Sequence, residues 1–260
     1  MSGYRRRASF YRSEFAVCDD FPLLGQLLAG DDGLVVDIPS GAGRLMPVHQ
    51  AHRRDVIMVD LEPAMIAQCQ QAAADCDLVG RVTAVPGDLT TWQPPTPAAR
   101  IIVARGGLQI LPSREAVAQA LTVSAANLAD DGALYLDVAM PWTAAPAAAD
   151  HLAPFLRFSG TTHLEGTSTI RAGGSRIRRS YTSDLLADRV LVRFRYQADS
   201  DAAGDWEDFE TTASWLRIDA DSVLGTLRGS GLTVISLLGD YAGTPYGTGS
   251  ARLICVAAAQ

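Results

Sequence analysis

Three aspartates stand at intervals that suit recognition of a nucleoside carrying an amino group. Asp37 ends a short apolar run and precedes a tight turn of Ser40, Gly41 and Gly43, whose glycines let the backbone approach a ligand closely. Asp60 closes the next apolar run, 23 positions on. A carboxylate at that place can accept hydrogen bonds from both hydroxyls of a ribose lying across two neighbouring strands. Asp88, in the stretch PGDL, closes a third run; there its side chain and the Leu89 N–H reach the polar edge of a base whose faces Leu61 and Met65 cover. A dinucleotide would use the same ribose device, but this turn lacks a third glycine, and a pyrophosphate has no use for a carboxylate at position 37. A ligand with an amino group does.

Those carboxylates work together only if their strands end side by side, and the hydrophobic pattern supplies such strands. Residues 34–38, 56–60, 81–85, 101–104 and 133–139 read as strands, separated by helices over 43–52, 63–74 and 113–128, the last begun by Ser113 as N-cap. This alternation predicts a Rossmann-like α/β fold with five parallel strands joined by right-handed crossovers. A helix over 221–228 and strands over 233–238 and 252–258 follow. The linker between these strands is too short for a crossover helix, so they form an antiparallel hairpin and complete a seven-stranded sheet. Within 161–218 the period changes to two: Val192, Phe194 and Tyr196 share one face, Arg193 and Arg195 the other. The chain therefore divides into an N-terminal arm and helix (1–30) acting as a lid, a Rossmann-like domain (31–141 and 219–260), and an inserted antiparallel β subdomain (142–218) covering the acceptor side. Arg171, Arg176, Arg178, Arg179, Arg189, Arg193 and Arg195 read as the insertion's solvated face, opposite an acidic stretch over 199–210.

Composition narrows the partners. The 260 residues, 48% hydrophobic, bury a full core, and no apolar run approaches the ~20 residues of a membrane span. No secretory pattern follows Arg5, Arg6 and Arg7, which points to the cytoplasm. A net charge of −7 has the wrong sign for a nucleic-acid substrate and fits a small-molecule partner. Cys18, Cys69, Cys76 and Cys255 are scattered, and His49 and His52 read as a solvated helix face, so no metal is expected. The oligomeric state stays open, a homodimer included.

Taken together, VVDIPSGAGR, MVDLEPAMI, PGDL, RIIVARGGLQIL and DDGALYLDVAMP resemble the successive motifs of class I S-adenosylmethionine-dependent methyltransferases, over residues 34–140 with the closing hairpin beyond. The insertion is similar to that of bacterial small-molecule enzymes acting on sugar amines and other natural-product precursors. The resemblance implies S-adenosylmethionine as cofactor, with Asp37, Ser40, Gly41 and Gly43 around the methionine moiety, Asp60 on the ribose, Leu61 and Met65 flanking the adenine, Asp88 and Leu89 at its edge, and Ala104 and Arg105 closing the site. Pro39 departs from the family's usual glycine.

In-line methyl transfer gains chiefly from holding nucleophile and methyl in line; a general base helps where the acceptor must lose a proton. His163 and His151 are the candidates for that base. Acceptor contacts are expected from Tyr11 in the arm, Gln109 after the fourth strand, Trp142 after the fifth, Glu165 and Tyr181 in the insertion, and Tyr241 and Tyr246 in the hairpin turn, while Arg105 has a fork suited to a substrate carboxylate. The expected activity is transfer of a methyl group to N or O of a small molecule in secondary-metabolite biosynthesis. C-methylation on the same fold, an NAD(P)-dependent oxidoreductase and a non-catalytic nucleoside-binding protein remain the alternatives.

Overall fold

The computed structural model describes residues 3–30, 33–172, 175–198 and 208–259. Short helices α1 (Gly3–Arg7) and α2 (Tyr11–Glu14) and a longer α3 (Phe21–Leu28) precede the sheet. Strands β1 (Val35–Asp37), β2 (Val56–Asp60), β3 (Val82–Pro86), β4 (Ala98–Val103) and β5 (Leu128–Ala139) are connected through α4 (Met46–His52), α5 (Pro63–Asp75) and α6 (Arg114–Ala126). The insertion carries β6 (His163–Ala172), β7 (Ser175–Leu185), β8 (Arg189–Ala198) and β9 (Phe209–Leu216); α7 (Ala220–Gly229), β10 (Leu232–Leu238) and β11 (Arg252–Ala259) end the chain.

The large sheet has the order β10-β11-β5-β4-β1-β2-β3, parallel from β3 to β5, with β11 antiparallel to both β5 and β10. The terminal hairpin thus inserts β11 beside β5, and its turn falls on the side where the parallel strands end. Sheet faces bury two cores. Leu134, Leu136 and Val138 of β5 pack with Val117 and Leu121 of α6 and Leu227 of α7 on one. Tyr135, Val35 and Ile102 pack with Leu24 and Leu28 of α3 and Cys69 of α5 on the other.

Boundaries differ from the sequence pattern where turn chemistry outweighs periodicity. The helix after the glycine turn starts at Met46, not at residue 43, because Gly41 (φ 55°) and Gly43 (φ 80°) hold left-handed conformations that cannot open a helix. Strand β5 begins at Leu128, directly after the Asn127 cap of α6, five residues earlier than its apolar run.

The insertion is a separate four-stranded antiparallel sheet, β6-β7-β8-β9. Its inner face presents Ile177, Val190, Val192, Phe194, Tyr196 and Phe209 to Phe155, Leu152 and Phe10. Arg179 belongs to that inner face and is buried, so the reading of every insertion arginine as solvated is corrected here. The acidic stretch set opposite them lies largely outside the described residues. Two 3₁₀ turns, Ala149–His151 and Pro154–Leu156, bridge from β5 to the insertion. No helix among the described residues is long and apolar enough to cross a membrane.

Candidate functional site

Parallel strands bring the three aspartates to one edge. Asp37 and Asp60 end adjacent β1 and β2, and the Gly87 N–H donates to the Asp60 carbonyl, which sets Asp88 alongside. Between β1 and α4 the turn is fixed from both sides: the Ile38 N–H donates to Ile102, the Ser40 N–H to Val59. The missing N–H of Pro39 therefore costs no bond in the turn, and its ring fills space that Gly107 leaves, since a Cβ at 107 would lie 2.7 Å from Pro39 Cδ. Beneath the turn, Ser40 is buried with its hydroxyl 3.6 Å from Cys69 Sγ, and the Cys69 thiol donates to the Gly41 carbonyl. Burial pushes that thiol up to about 12, so it stays a donor.

Asp60 accepts from the Gly41 N–H at 2.9 Å and the Glu62 N–H at 3.0 Å. Two of a carboxylate's roughly four acceptor positions remain for a diol. Burial raises its pKa above the ordinary value. Asp37 is 2% exposed and its Oδ2 has no hydrogen-bond partner among the described residues. The acceptor positions left on Asp60, the Asp37 carboxylate at the end of β1 and the open glycine turn together fit a nucleoside with a cationic tail.

The base-flanking residues are placed unequally. Leu61 is 71% exposed at the edge, whereas Met65 is buried with Ala8 of the arm and Ala42 of the turn. Leu89 sends its side chain into the core, leaving its backbone for a base edge. Asp88 Oδ1 accepts from the Thr90 N–H and hydroxyl, which caps the local turn and lowers its pKa.

Two buried ionic knots tie the arm over this edge. Glu14 Oε1 accepts from Arg7, Arg179 and the Tyr196 hydroxyl at 3.0, 3.0 and 2.6 Å, joining α2 to the inner face of the insertion. Asp20, at the start of α3, accepts from Arg44 at 2.8 and 2.6 Å and from Arg105 at 3.0 Å. Arg105 also pairs with Asp19. Its guanidinium is thus held by the arm, which corrects the expectation that it waits for a substrate carboxylate. Asp137 of β5 accepts from the Arg105 N–H at 2.7 Å and from Arg252 at 2.9 Å. Tyr241 lies between the Arg105 and Arg252 guanidinium groups, 4.7 and 4.6 Å from its ring centre, its buried hydroxyl without a partner among the described residues.

Of the acceptor-side candidates, Tyr11 meets the glycine turn: a Cβ on Gly41 would lie 3.3 Å from its ring. Phe10 instead joins the insertion core. Tyr181 is on the inner face, edge-on to Phe155, in room left by Gly166. Trp142 stands where β5 ends, its Nε1 buried and without a partner among the described residues. His151 is exposed in the first 3₁₀ turn, and its carbonyl accepts from Arg252.

Four expectations are corrected. His163 is on the outer face of the insertion, Nδ1 2.7 Å from Asp184 and Nε2 3.2 Å from Glu165, and these carboxylates raise its pKa. It faces solvent rather than the sheet edge, and Glu165 faces out with it. Gln109 is buried, with Nε2 donating to the Ala139 and Leu216 carbonyls and Oε1 accepting from the Ala139 N–H. Its amide clasps β5 to β9 and is spent there. Tyr246 packs against the core beneath α7, away from Tyr241.

Sequence reasoning missed Trp215, Asp137, Glu14 and the burial of His49. Trp215, 5.4 Å from Phe155, reaches over the turn after β4, 3.8 Å from where a Gly106 Cβ would stand. A lone aspartate inside the apolar run LYLDVAM was a usable signal for Asp137, because a buried charge in a strand requires a partner. Nothing local marked Glu14. Polarity places both histidines of α4 on a solvated face, yet His49 is 1% exposed.

Residues 35–132 match the family described as a methyltransferase domain. No curated protein matches the sequence significantly. Solved structures share the fold over nearly the whole chain: an S-adenosylmethionine-dependent methyltransferase from Clostridium acetobutylicum (TM-score 0.72, 10% identity, 93% of this chain and 90% of that one); an amino pentose methyltransferase from Micromonospora echinaspora (0.68, 18%, 96% and 94%); and a sugar N-methyltransferase from Streptoalloteichus (0.73, 17%, 96% and 91%). At these identities the likeness speaks for the fold. Residues 35–132 thus carry a methyltransferase domain, and the chain as a whole shares the fold of solved S-adenosylmethionine-dependent methyltransferases.

Proposed function

We propose that the chain methylates an amino nitrogen of a small polar acceptor, of the kind found in sugars and natural products. The observation that carries this reading is the aromatic wall opposite the cofactor edge. Tyr11 at the glycine turn, Tyr181 on the inner face of the insertion and backed edge-on by the buried Phe155, and Trp215 over Gly106 flank the side from which an acceptor would approach. Aromatic faces pack against an acceptor and orient it without consuming a hydrogen bond. The bound cofactor supplies an electrophilic methyl on a sulfonium. What this chain's residues contribute is placement: Asp37 holds the tail's ammonium, Asp60 the ribose, and the wall aims the nitrogen. An amine needs only to arrive neutral, which agrees with His163 lying on the outer face; His151, at the rim, is the base for a hydroxyl acceptor. Two of the structural relatives are an amino pentose methyltransferase and a sugar N-methyltransferase.

The N-terminal arm serves as the lid of this site, and the insertion covers its acceptor side. Four free thiols suit a reducing compartment and support action in the cytoplasm.

The test is incubation with methyl-labelled cofactor and a panel of amino sugars, hydroxy sugars and phenols. Label in the amines supports the proposal; label confined to hydroxyl products sinks it. No product from any panel, with cofactor bound, favours a silent binding protein. Tight binding of a dinucleotide without S-adenosylmethionine would favour an oxidoreductase.

A further inference from the structure

We infer that His49 is a positioning residue for Asp37: its imidazole N–H holds Oδ2 of the carboxylate so that Oδ1 meets the ammonium of the cofactor's amino-acid tail. This rests on the assignment of Asp37 to that tail. His49 Nε2 is 3.5 Å from Asp37 Oδ2, and both side chains are almost wholly buried. Oδ2 and both ring nitrogens have no hydrogen-bond partner among the described residues. Three sealed polar atoms left unsatisfied would each cost free energy unless the arrangement is completed by something else.

The backbone fixes the ring beside that carboxylate. His49 is not on a loop free to swing: its N–H donates to Leu45, and its carbonyl accepts at 2.8 Å from Arg53, whose left-handed conformation (φ 48°) ends α4. Its neighbours Leu45, Met46 and Val48 are core, so the ring is clamped against the end of β1 with Asp37 as the polar group it faces. Closing this 3.5 Å contact by about 0.6–0.8 Å turns it into a hydrogen bond to a charged acceptor, about 2.7–2.9 Å long. An imidazole N–H on Oδ2 fixes which carboxylate oxygen faces an arriving ammonium. An unheld carboxylate would lose part of that attraction to rotation of its side chain.

The experiment separates positioning from folding by using two nucleosides. S-adenosylhomocysteine carries the amino-acid tail; 5′-methylthioadenosine lacks it and reads the ribose and adenine contacts alone. His49→Gln and His49→Met are close in size and differ in the N–H donor. Calorimetric titration of both ligands is expected to show His49→Gln within about three-fold of the parent on each. His49→Met should bind S-adenosylhomocysteine about ten-fold or more weakly while keeping 5′-methylthioadenosine affinity within about two-fold. Equal S-adenosylhomocysteine affinity in the two variants overturns the inference. So does a parallel loss of both nucleosides in His49→Met, which would mean that His49 acts through the fold. Failure of the parent protein to bind either nucleoside would instead strike the cofactor assignment.

Discussion

The Asp60 carboxylate ties down the glycine turn through the Gly41 N–H, and in the proposed function its remaining acceptor positions take a ribose. Replacing Asp60 with alanine is expected to weaken S-adenosylhomocysteine binding at least about ten-fold by calorimetry, since two ligand hydroxyls lose a charged acceptor; unchanged affinity would remove the ribose assignment. Burial raises the Asp60 pKa, and the protonated acid is the poorer acceptor. Affinity is therefore full at neutral pH and declines as pH falls through a midpoint above the ordinary value of about 3.9. The decline attributable to this group should vanish in Asp60→Ala. His163 has the opposite status. Its ring is engaged by Asp184 and Glu165 on the outer face, so His163→Ala is expected to leave turnover within about two-fold, and a hundred-fold loss would restore it as a base.

At the scale of elements, the arm is held by charge rather than by area. The Glu14 side chain is completely buried and joins two guanidinium groups with a tyrosine hydroxyl, and those cations also lie over aromatic rings, Arg7 over Tyr11 and Phe194, Arg179 over Phe155 and Phe194. Removing one partner of such a set leaves charge uncompensated in an apolar setting, at a cost of about 3–5 kcal/mol. Glu14→Ala should show that loss in urea denaturation, with the first residues becoming cleavable by protease before the sheet unfolds; a change below about 1 kcal/mol would show that the knot contributes little. Similar logic applies to Gln109, which joins β5 to β9: its amide replaces ladder hydrogen bonds where the large sheet hands over to the insertion.

For the whole molecule, the two sheets, the arm and the hairpin turn converge on one edge, so a ligand bound there touches elements far apart in sequence. Binding to the folded state alone stabilises it by about 2.7 kcal/mol when free ligand is a hundred times Kd. S-adenosylhomocysteine at that excess should raise the denaturation midpoint accordingly and should also protect the arm from protease. An unprotected arm with a raised midpoint would show that the lid is not part of the cofactor site.

How far the sequence reached follows from what local spacing can carry. Periodicity and turn residues placed the five parallel strands, the terminal hairpin and the glycine turn, and the aspartates ending three successive strands followed from that order, because a strand's end and a turn's φ requirement are local properties. They could not say that Glu14 meets Arg179, 165 residues away, or that Asp20 meets Arg105, 85 residues away. Nor does a period of two say which face of β6 looks inward: the alternation around His163 is the same for either, and docking of the inner apolar face against Phe155 and Phe10 turned the imidazole out to solvent. His49 shows the converse. Its polarity marked it as solvated, while the packing of α4 on β1 buried it against Asp37. Local chemistry prescribed the cofactor edge; long-range pairing of buried charges and the choice of sheet face, which have no signature in neighbouring residues, arranged what covers it.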